Sequence, residues 1–165
     1  SFVKSIFDNS GNRLQLKCVS GTPKGCPRYM SKNAMNCYEQ FERDDFESVI
    51  YVLCYFLRQG NLPWMKVEGK TANEKFEKIK QLKEITTPEM LTLGYPMEYT
   101  NLIRMVNNMD YNICPRYRAI NEWFVALFKR ENMVDDAVYD WTNVLKARQE
   151  YKKKMEDNKT KSSSD

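Results

Sequence analysis

Histidine is absent from the 165 residues of this chain, and its absence removes several classes of enzyme from consideration. A Ser-His-Asp triad, a Cys-His dyad and a histidine-ligated zinc site all need at least one imidazole. None of them can be built from this chain, so most hydrolase mechanisms are excluded. We assign no catalytic residue and no metal ligand.

Paired cysteines are missing as well. No two cysteines have the C-x-x-C spacing, and their number is odd: Cys18, Cys26, Cys37, Cys54 and Cys114. This usage argues against both a zinc ribbon and a disulfide framework and favours a reducing environment. We expect an intracellular protein. The cytoplasm is the compartment we favour, and the nucleus and the cytoskeleton are the alternatives.

Long apolar runs and low-complexity stretches are also lacking. No run approaches the roughly 20 residues that cross a bilayer. The opening residues 1–4 have neither the basic flank nor the apolar core of a signal peptide. With 42% hydrophobic residues, 6 Gly and 6 Pro, the composition excludes collagenous and wholly disordered chains. We predict one soluble domain that is not associated with a membrane.

The positive charge is concentrated in the tail. Residues 146–165 hold seven basic and four acidic side chains, so they carry +3 of the net +4 and leave +1 for the rest. A run such as Lys152-Lys153-Lys154 is usually a solvated helix face. The hypothesis of a basic nucleic-acid binder depends on this tail alone. We do not expect nucleic acid as a partner.

Helical patterns dominate from Asp44 onward. Asp44-Asp45-Phe46-Glu47 has the spacing of a capping box, residues 46–57 are apolar on nearly every face, and Gly60 offers a C′ stop. We predict a buried central helix, since a helix that is apolar all round needs cover on all sides. The spacing Thr71-x-x-Glu74 opens a second, amphipathic and peripheral helix.

Further helices follow at regular intervals. Thr87-Pro88-Glu89 opens a short one that Gly94 can close. The apolar residues of the next three are Tyr99, Leu102, Ile103 and Val106; Ile120, Trp123, Phe124, Leu127 and Phe128; and, after a start at Asp135-Asp136, Val138, Trp141, Val144 and Leu145. The last seven residues, 159–165, are predicted to be frayed or disordered.

The first 43 residues have no clear helical pattern. Turn-forming residues cluster at 8–12, residues 14–17 alternate weakly, and residues 21–27 are rich in Gly and Pro. We predict a long loop with one weak hairpin, which is unusual in a compact domain unless the loop is functional. The predicted fold is therefore mainly α, with a helical bundle around a buried central helix and a loop-rich N-terminal quarter.

Five ordered motifs between about Gly21 and Lys146 resemble the casein kinase 1 family of protein serine/threonine kinases. They are Gly21-Thr22 with Arg28-Tyr29-Met30-Ser31-Lys32-Asn33; Arg43-Asp44-Asp45-Phe46-Glu47-Ser48; Leu62-Pro63-Trp64; Gly94-Tyr95-Pro96; and Tyr139-Asp140-Trp141. In that family they run from the end of the activation loop through the C-terminal lobe. The resemblance implies three segments: an activation-loop-like and substrate-docking segment at 1–43, a helical kinase C-lobe at 44–146 and a basic extension at 147–165.

The ATP-binding parts of a kinase have no counterpart here. A kinase needs a glycine-rich loop, a strand lysine, a catalytic-loop Asp and Asn, and a magnesium-binding D-F-G aspartate. The chain contains no G-x-G, no H-R-D and no D-F-G, and by the family pattern Ser1 falls just after the D-F-G position. We expect no cofactor in this chain, whereas ATP and magnesium serve the parent family.

The resemblance implies roles for several residues. Lys17, Arg28 and Lys75 match positions that form anion pockets for a phosphorylated or acidic substrate residue; the alternative is that they only solvate the surface. Asp45 matches the aspartate that accepts hydrogen bonds from the catalytic loop; the alternative is plain helix capping, for which Asp44 competes. The kinase-motif residues with structural roles are Gly21, Thr22, Tyr29, Asp45 and Trp64.

Two departures from the family pattern indicate a divergent or degenerate kinase. Residues 23–27 make the substrate-docking loop about four residues longer than the family pattern allows. Ile50 replaces a glycine of the central helix.

Two functions remain open. The chain is either the substrate-binding part of a kinase or a non-catalytic, kinase-derived scaffold. The expected partners are an acidic or phosphorylated protein and, over the central helix, either the missing kinase parts or another protein.

Overall fold

The computed structural model describes residues 5, 7–12, 17, 18, 21, 23, 25–111 and 113–161, without the side chains of 140 and 156–161. It is mainly α-helical, as predicted. The helices are α1 Lys32–Met35, α2 Glu42–Leu57, α3 Ala72–Ile85, α4 Pro88–Thr92, α5 Met97–Asn107, α6 Tyr117–Arg130 and α7 Asp140–Lys161. The described residues contain no β-strand, only isolated bridges such as the antiparallel one between Cys18 and Tyr38.

The chain divides into two compact units, Ser1–Leu127 and Phe128–Asp165. In the first, α2 packs against α5 and α1, α1 against α3, and α4 against α5. One apolar core draws on every helix of that unit. The predicted segment boundaries at 43/44 and 146/147 stay a prediction.

The central helix α2 begins three residues earlier than its sequence pattern indicates, because its cap is Phe41 and not Asp44. The backbone N–H of Phe41 donates to Asp44 Oδ2 (3.0 Å), and the backbone N–H of Asp44 donates to the Phe41 carbonyl (2.9 Å). Asp44 is therefore the third residue of the helix and not its cap. Ile50, which replaces the family's glycine, is buried in the core.

The C-terminus of α2 is a Schellman-type stop. The N–H of Gly60 donates to the Tyr55 carbonyl at 2.8 Å, and that of Gln59 donates to the Phe56 carbonyl at 3.0 Å. The residue at C′ is Gln59, with φ of 50°, one position before the predicted Gly60.

The described residues cover one side of α2 and leave the other side bare. Cover of that side by the missing kinase parts or by another protein stays a prediction. Ile50, Tyr51 and Cys54 are buried. In contrast, Val49, Leu53 and Phe56 are 51%, 37% and 69% exposed, and their spacing aligns them along one stripe. We call these three residues the open face of α2.

Helices α3, α4 and α5 confirm their predictions. Thr71 and Thr87 cap α3 and α4, and their hydroxyl oxygens accept from the N–H groups of Glu74 (3.1 Å) and Met90 (3.3 Å). Gly94 follows α4 with φ of 86°. On α5, Leu102, Ile103 and Val106 are buried. In α6 the predicted stripe is buried at Ile120 and Leu127, but Trp123 and Phe128 are exposed.

The start predicted for the last helix is wrong. The side chains of Asp135 and Asp136 accept hydrogen bonds from the N–H groups two residues ahead, at 3.0 and 2.9 Å, so each makes a local turn. Helix α7 begins at Asp140 and continues to Lys161. Residues 162–165 of the predicted frayed tail lie outside the described residues, and the fraying of the tail stays a prediction. Val138, Trp141, Val144 and Leu145 are all exposed.

The N-terminal quarter contains one element that the sequence pattern does not indicate, the single-turn helix α1, capped by Ser31, whose Oγ accepts from the N–H of Ala34 at 3.1 Å. The predicted turn at 8–12 is present, with the N–H of Asp8 bonded to the Asn12 carbonyl at 2.8 Å. Residues 14–16 of the predicted hairpin lie outside the described residues.

Candidate anion-binding site

The segment from Cys26 to Lys32 connects the Gly- and Pro-rich loop to α1. It starts with a turn in which the N–H groups of Tyr29 and Met30 both donate to the Cys26 carbonyl, at 3.1 and 3.0 Å. Tyr29 is half-buried, with its ring edge-on to Tyr55 at 5.7 Å. The segment therefore has a defined conformation against the core.

Three side chains from different parts of the fold bind the backbone of this segment at alternate residues. Trp64 Nε1 donates to the carbonyl of Arg28 at 2.9 Å, and Lys83 Nζ donates to that of Met30 at 2.5 Å. The N–H of Lys32 donates to Glu47 Oε1 at 3.1 Å. We call Trp64, Lys83 and Glu47 the backbone clamp.

The clamp residues are buried and contact one another through Tyr51. The ammonium of Lys83, a residue only 2% exposed, lies 4.3 Å from the centre of the Tyr51 ring and 5.0 Å from that of Trp64. The Tyr51 hydroxyl donates to Glu47 Oε1 at 2.7 Å. Burial lowers the pKa of Lys83 to about 7, against the opposing effect of Glu47. Desolvation, followed by the charge of Glu47, raises the pKa of Tyr51, so its hydroxyl stays protonated.

The side chain of Arg28, unlike this buried clamp, is exposed. Its guanidinium carbon lies 5.7 Å from the centre of the Tyr29 ring and 5.8 Å from that of Tyr55, so two aromatic rings flank it. Within the described part of the chain, no carboxylate pairs with it. Tyr29 raises the pKa of Arg28 further, so the group is a permanent cation with its charge available to a ligand.

Lys75 lies in the first turn of α3 and is exposed. Its neighbour Glu74 is engaged elsewhere, because its carboxylate pairs with Lys78 Nζ at 2.8 Å and accepts from the N–H of Lys70 at 2.7 Å. The hydrogen bond with Lys78 has the largest effect and that with Lys70 the next, and both lower the pKa of Glu74. No carboxylate among the described residues pairs with Lys75.

Gly69 allows Lys75 to lie where it does. A β-carbon on Gly69 would stand 2.6 Å from the backbone nitrogen of Lys75 and 2.9 Å from its α-carbon, closer than side chains approach backbone atoms. Glycine is therefore required by close packing at this position. The sequence pattern did not predict this role of Gly69, although an isolated glycine just before a helix cap is a recognisable signal.

Lys17 is exposed on a different segment. Its carbonyl accepts from the N–H of Glu39 at 2.9 Å, next to the bridge between Cys18 and Tyr38. Among the described residues, no hydrogen bond, ion pair or ring contact joins Lys17, Arg28 and Lys75 to one another. Their assignment as anion-binding residues stays a prediction.

The other motif residues take separate places. Trp64 is fully buried. Asp45 is exposed in the first turn of α2. The partial desolvation of its carboxylate, followed by the negative charges of Asp44 and Glu42, raises the pKa of Asp45. The N–H of the cap residue Phe41 is bonded to Asp44 and not to Asp45, and the Asp45 carboxylate has no hydrogen-bond donor in the described part of the chain. Gly21 has φ of 133°, and its carbonyl accepts from Cys37 Sγ at 3.5 Å. Thr22 lies outside the described residues.

The described residues offer no site that fits magnesium and ATP. They include no group of three or more His, Cys, Asp or Glu side chains placed to hold a metal ion. Magnesium bound with a nucleotide needs carboxylate ligands beside the phosphates. We therefore derive no phosphoryl-transfer step. Among the helices described here, none has the length and hydropathy to cross a membrane.

Comparison with known proteins agrees with the motifs. No family model matches the chain. Casein kinase I homolog 3 of Schizosaccharomyces pombe is 40% identical over 126 residues, which make up 76% of this chain and 28% of that homolog. Together with the helical fold, the match defines the class of protein as the C-terminal lobe of a protein kinase. The chain belongs to the casein kinase 1 family, as the motifs predicted, and spans little more than a quarter of the relative it matches.

Proposed function

We propose that this chain is the substrate-docking part of a casein-kinase-1-like serine/threonine kinase domain and that it binds acidic or phosphorylated protein segments. The observation that carries the proposal is Arg28, whose backbone is bound to the core through Trp64 while its guanidinium is exposed and has no carboxylate partner in the described structure. A planar cation on a fixed backbone suits a phosphate or a carboxylate.

Lys75 and Lys17 extend this proposal. Lys75 is an exposed point charge whose backbone position depends on close contact with Gly69. Lys17 is exposed on a loop, and its backbone carbonyl accepts a hydrogen bond from the N–H of Glu39. A ligand with two negative groups, or one phosphate with an acidic neighbour, would use more than one of these cations. We expect Arg28 to contribute most because its backbone is bound by a buried side chain.

Phosphoryl transfer belongs to this proposal only when the ATP-binding lobe and catalytic loop are supplied. We expect the 165-residue chain to bind no magnesium-ATP, because it has no counterpart of the groups that hold the phosphates. The open face of α2, with the unpartnered Asp45 at its N-terminal end, is the surface that we propose for those missing parts.

A kinase-derived scaffold is the second candidate function. It is favoured by the same open face, which another protein could cover instead of a kinase lobe. Calorimetry with ATP and magnesium on a longer natural chain, if one exists, separates the two: a kinase binds nucleotide and a scaffold does not. We propose the cytoplasm as the compartment for either function.

The docking proposal is tested by fluorescence anisotropy with a short peptide that carries one phosphoserine. Arg28→Ala should weaken binding about tenfold, the loss of one charge-assisted contact, and Lys75→Ala should weaken it by a smaller factor. Arg118→Ala and Lys146→Ala, which remove exposed cations elsewhere, should leave the affinity unchanged. Equal binding by wild type and Arg28→Ala would contradict the proposal.

A further inference from the structure

A buried lysine on α3 holds the backbone from which Arg28 projects. Lys83 Nζ binds the carbonyl of Met30, two residues from Arg28, in a pocket walled by the rings of Tyr51 and Trp64. A lysine that is 2% exposed must compensate for its lost hydration. In the described structure, Lys83 contacts this carbonyl and the faces of two aromatic rings. Lys83 is not part of the sequence motifs that resemble the family.

The clamp acts on every second residue of the segment. The carbonyls of Arg28 and Met30 and the N–H of Lys32 are bound by Trp64, Lys83 and Glu47 respectively. Three buried side chains therefore bind this run of backbone to the core, whereas the Arg28 side chain is exposed.

We propose that Lys83 is a positioning residue for the anion site: its charged hydrogen bond to Met30 fixes the backbone of residues 28–32, so that Arg28 is ordered before the ligand binds. This inference rests on the proposed docking function. A preordered cation binds its anion without the entropy cost of ordering a loop, so loosening the clamp lowers affinity while Arg28 itself is intact.

The charge on Lys83 makes the clamp sensitive to pH. A charged donor makes a hydrogen bond about twice as strong as a neutral one, so loss of the Lys83 proton weakens the bond to Met30. The low pKa of Lys83 puts this change near neutral pH. The titratable or charged groups that face it are Glu47 and Tyr51 on α2 and Cys26 in the loop, with Arg43 ion-paired to Glu47 at 3.7 Å and Glu84 on its own helix acting on Tyr51.

The experiment uses the 165-residue chain, the same phosphoserine peptide and three variants. Lys83→Met removes the donor, Lys83→Arg keeps a charge that does not titrate near neutral pH, and Lys80→Met is the control on the same helix. Lys83→Met should weaken peptide binding about fivefold, and Lys80→Met should not. Lys83→Arg should rescue part of the loss.

The pH profile separates positioning from a purely structural role. From about pH 6 to about pH 8 the affinity of wild type should fall several-fold relative to Lys83→Arg, and the ratio cancels the titration of the peptide phosphate. If Lys83→Met does not fold, this ratio still decides the question. A ratio that stays constant across this range would overturn the proposal, as would undiminished binding by a folded Lys83→Met.

The failure of this inference can be told apart from the failure of the docking proposal. If Arg28→Ala weakens binding but the Lys83 variants do not, the anion site stands and the clamp does not position it. If Arg28→Ala has no effect, the docking proposal itself is wrong, and the positioning role of Lys83 is wrong with it.

Discussion

The indole Nε1 of Trp64 donates a 2.9 Å hydrogen bond to the carbonyl of Arg28, thirty-six residues earlier in the chain. Trp64 is fully buried, and the residue that it holds has an exposed cationic side chain. The Leu62-Pro63-Trp64 motif thus connects the core directly to the segment that we propose to bind substrate. The contact gives a physical reason for a tryptophan at this position.

Trp64→Phe should destabilise the chain by about 1–3 kcal/mol, because it leaves the Arg28 carbonyl without its donor and opens a small cavity. Urea unfolding measures the change. Trp123→Phe is the matched control, since Trp123 is exposed and makes no hydrogen bond in the described structure; it should change stability by less than about 0.5 kcal/mol. Equal effects of the two substitutions would contradict the role given to Trp64.

Gly69→Ala should lower stability by about 1–3 kcal/mol and weaken phosphopeptide binding, because the new β-carbon collides with the backbone of Lys75. The start of α3 must shift to relieve the contact, and Lys75 shifts with it. Thermal melting and anisotropy measure the two effects. Lys66→Ala, an exposed change in the same loop, should alter neither. A fully stable Gly69→Ala with wild-type binding would show that the loop adapts.

The stability of the wild type should rise with pH, relative to that of Lys83→Met, from about pH 7 to about pH 9. Burial lowers the pKa of Lys83 from 10.5 to about 7, so in this range the unfolded chain holds a proton that the folded chain has released. Stability rises wherever the unfolded state binds more protons, here by up to about 1.4 kcal/mol per pH unit.

Urea titrations at several pH values test this expectation. Burial also raises the pKa of Cys54, from 9.0 to about 11, which reduces stability above pH 9 in both proteins and cancels in the comparison. Lys66→Met should follow the wild type. Parallel profiles for wild type and Lys83→Met would contradict the lowered pKa.

The open face of α2 should make the isolated chain self-associate or melt at low temperature. Val49, Leu53 and Phe56 present apolar surface to water, and contiguous surface of this kind normally marks an interface. Phe56→Lys should therefore reduce association in sedimentation without lowering the melting temperature. Asn101→Lys, which adds the same charge at an exposed position of α5, should leave association unchanged. A monodisperse wild-type monomer that melts cooperatively above about 55 °C would contradict this expectation.

Much of the fold could be predicted because local signals and tertiary packing agree. Thr71 and Thr87 cap the helices that their motifs predict, and Leu102, Ile103 and Val106 form the buried face that their spacing predicts. The start of α7 could not be predicted this way. Acidic residues cap turns as readily as helices, and at Asp135 and Asp136 the local turn forms.

The clamp was missed because lysine is normally a solvent-facing residue. Phe76, Ile79 and Lys83 stand at i, i+3 and i+7, so Lys83 lies on the apolar face of α3, and this spacing was the signal available. What the spacing could not give is its partner, because the Met30 carbonyl is fifty-three residues away in sequence. Backbone carbonyls are the same in every sequence, so such a contact leaves no pattern.

A crystal structure of the chain with the phosphoserine peptide tests the central claim most directly. The account predicts phosphate oxygens within about 3 Å of the Arg28 guanidinium, with Met30 still bonded to Lys83 and the backbone of residues 28–32 unchanged. A phosphate bound elsewhere, with Arg28 turned to solvent, would contradict it.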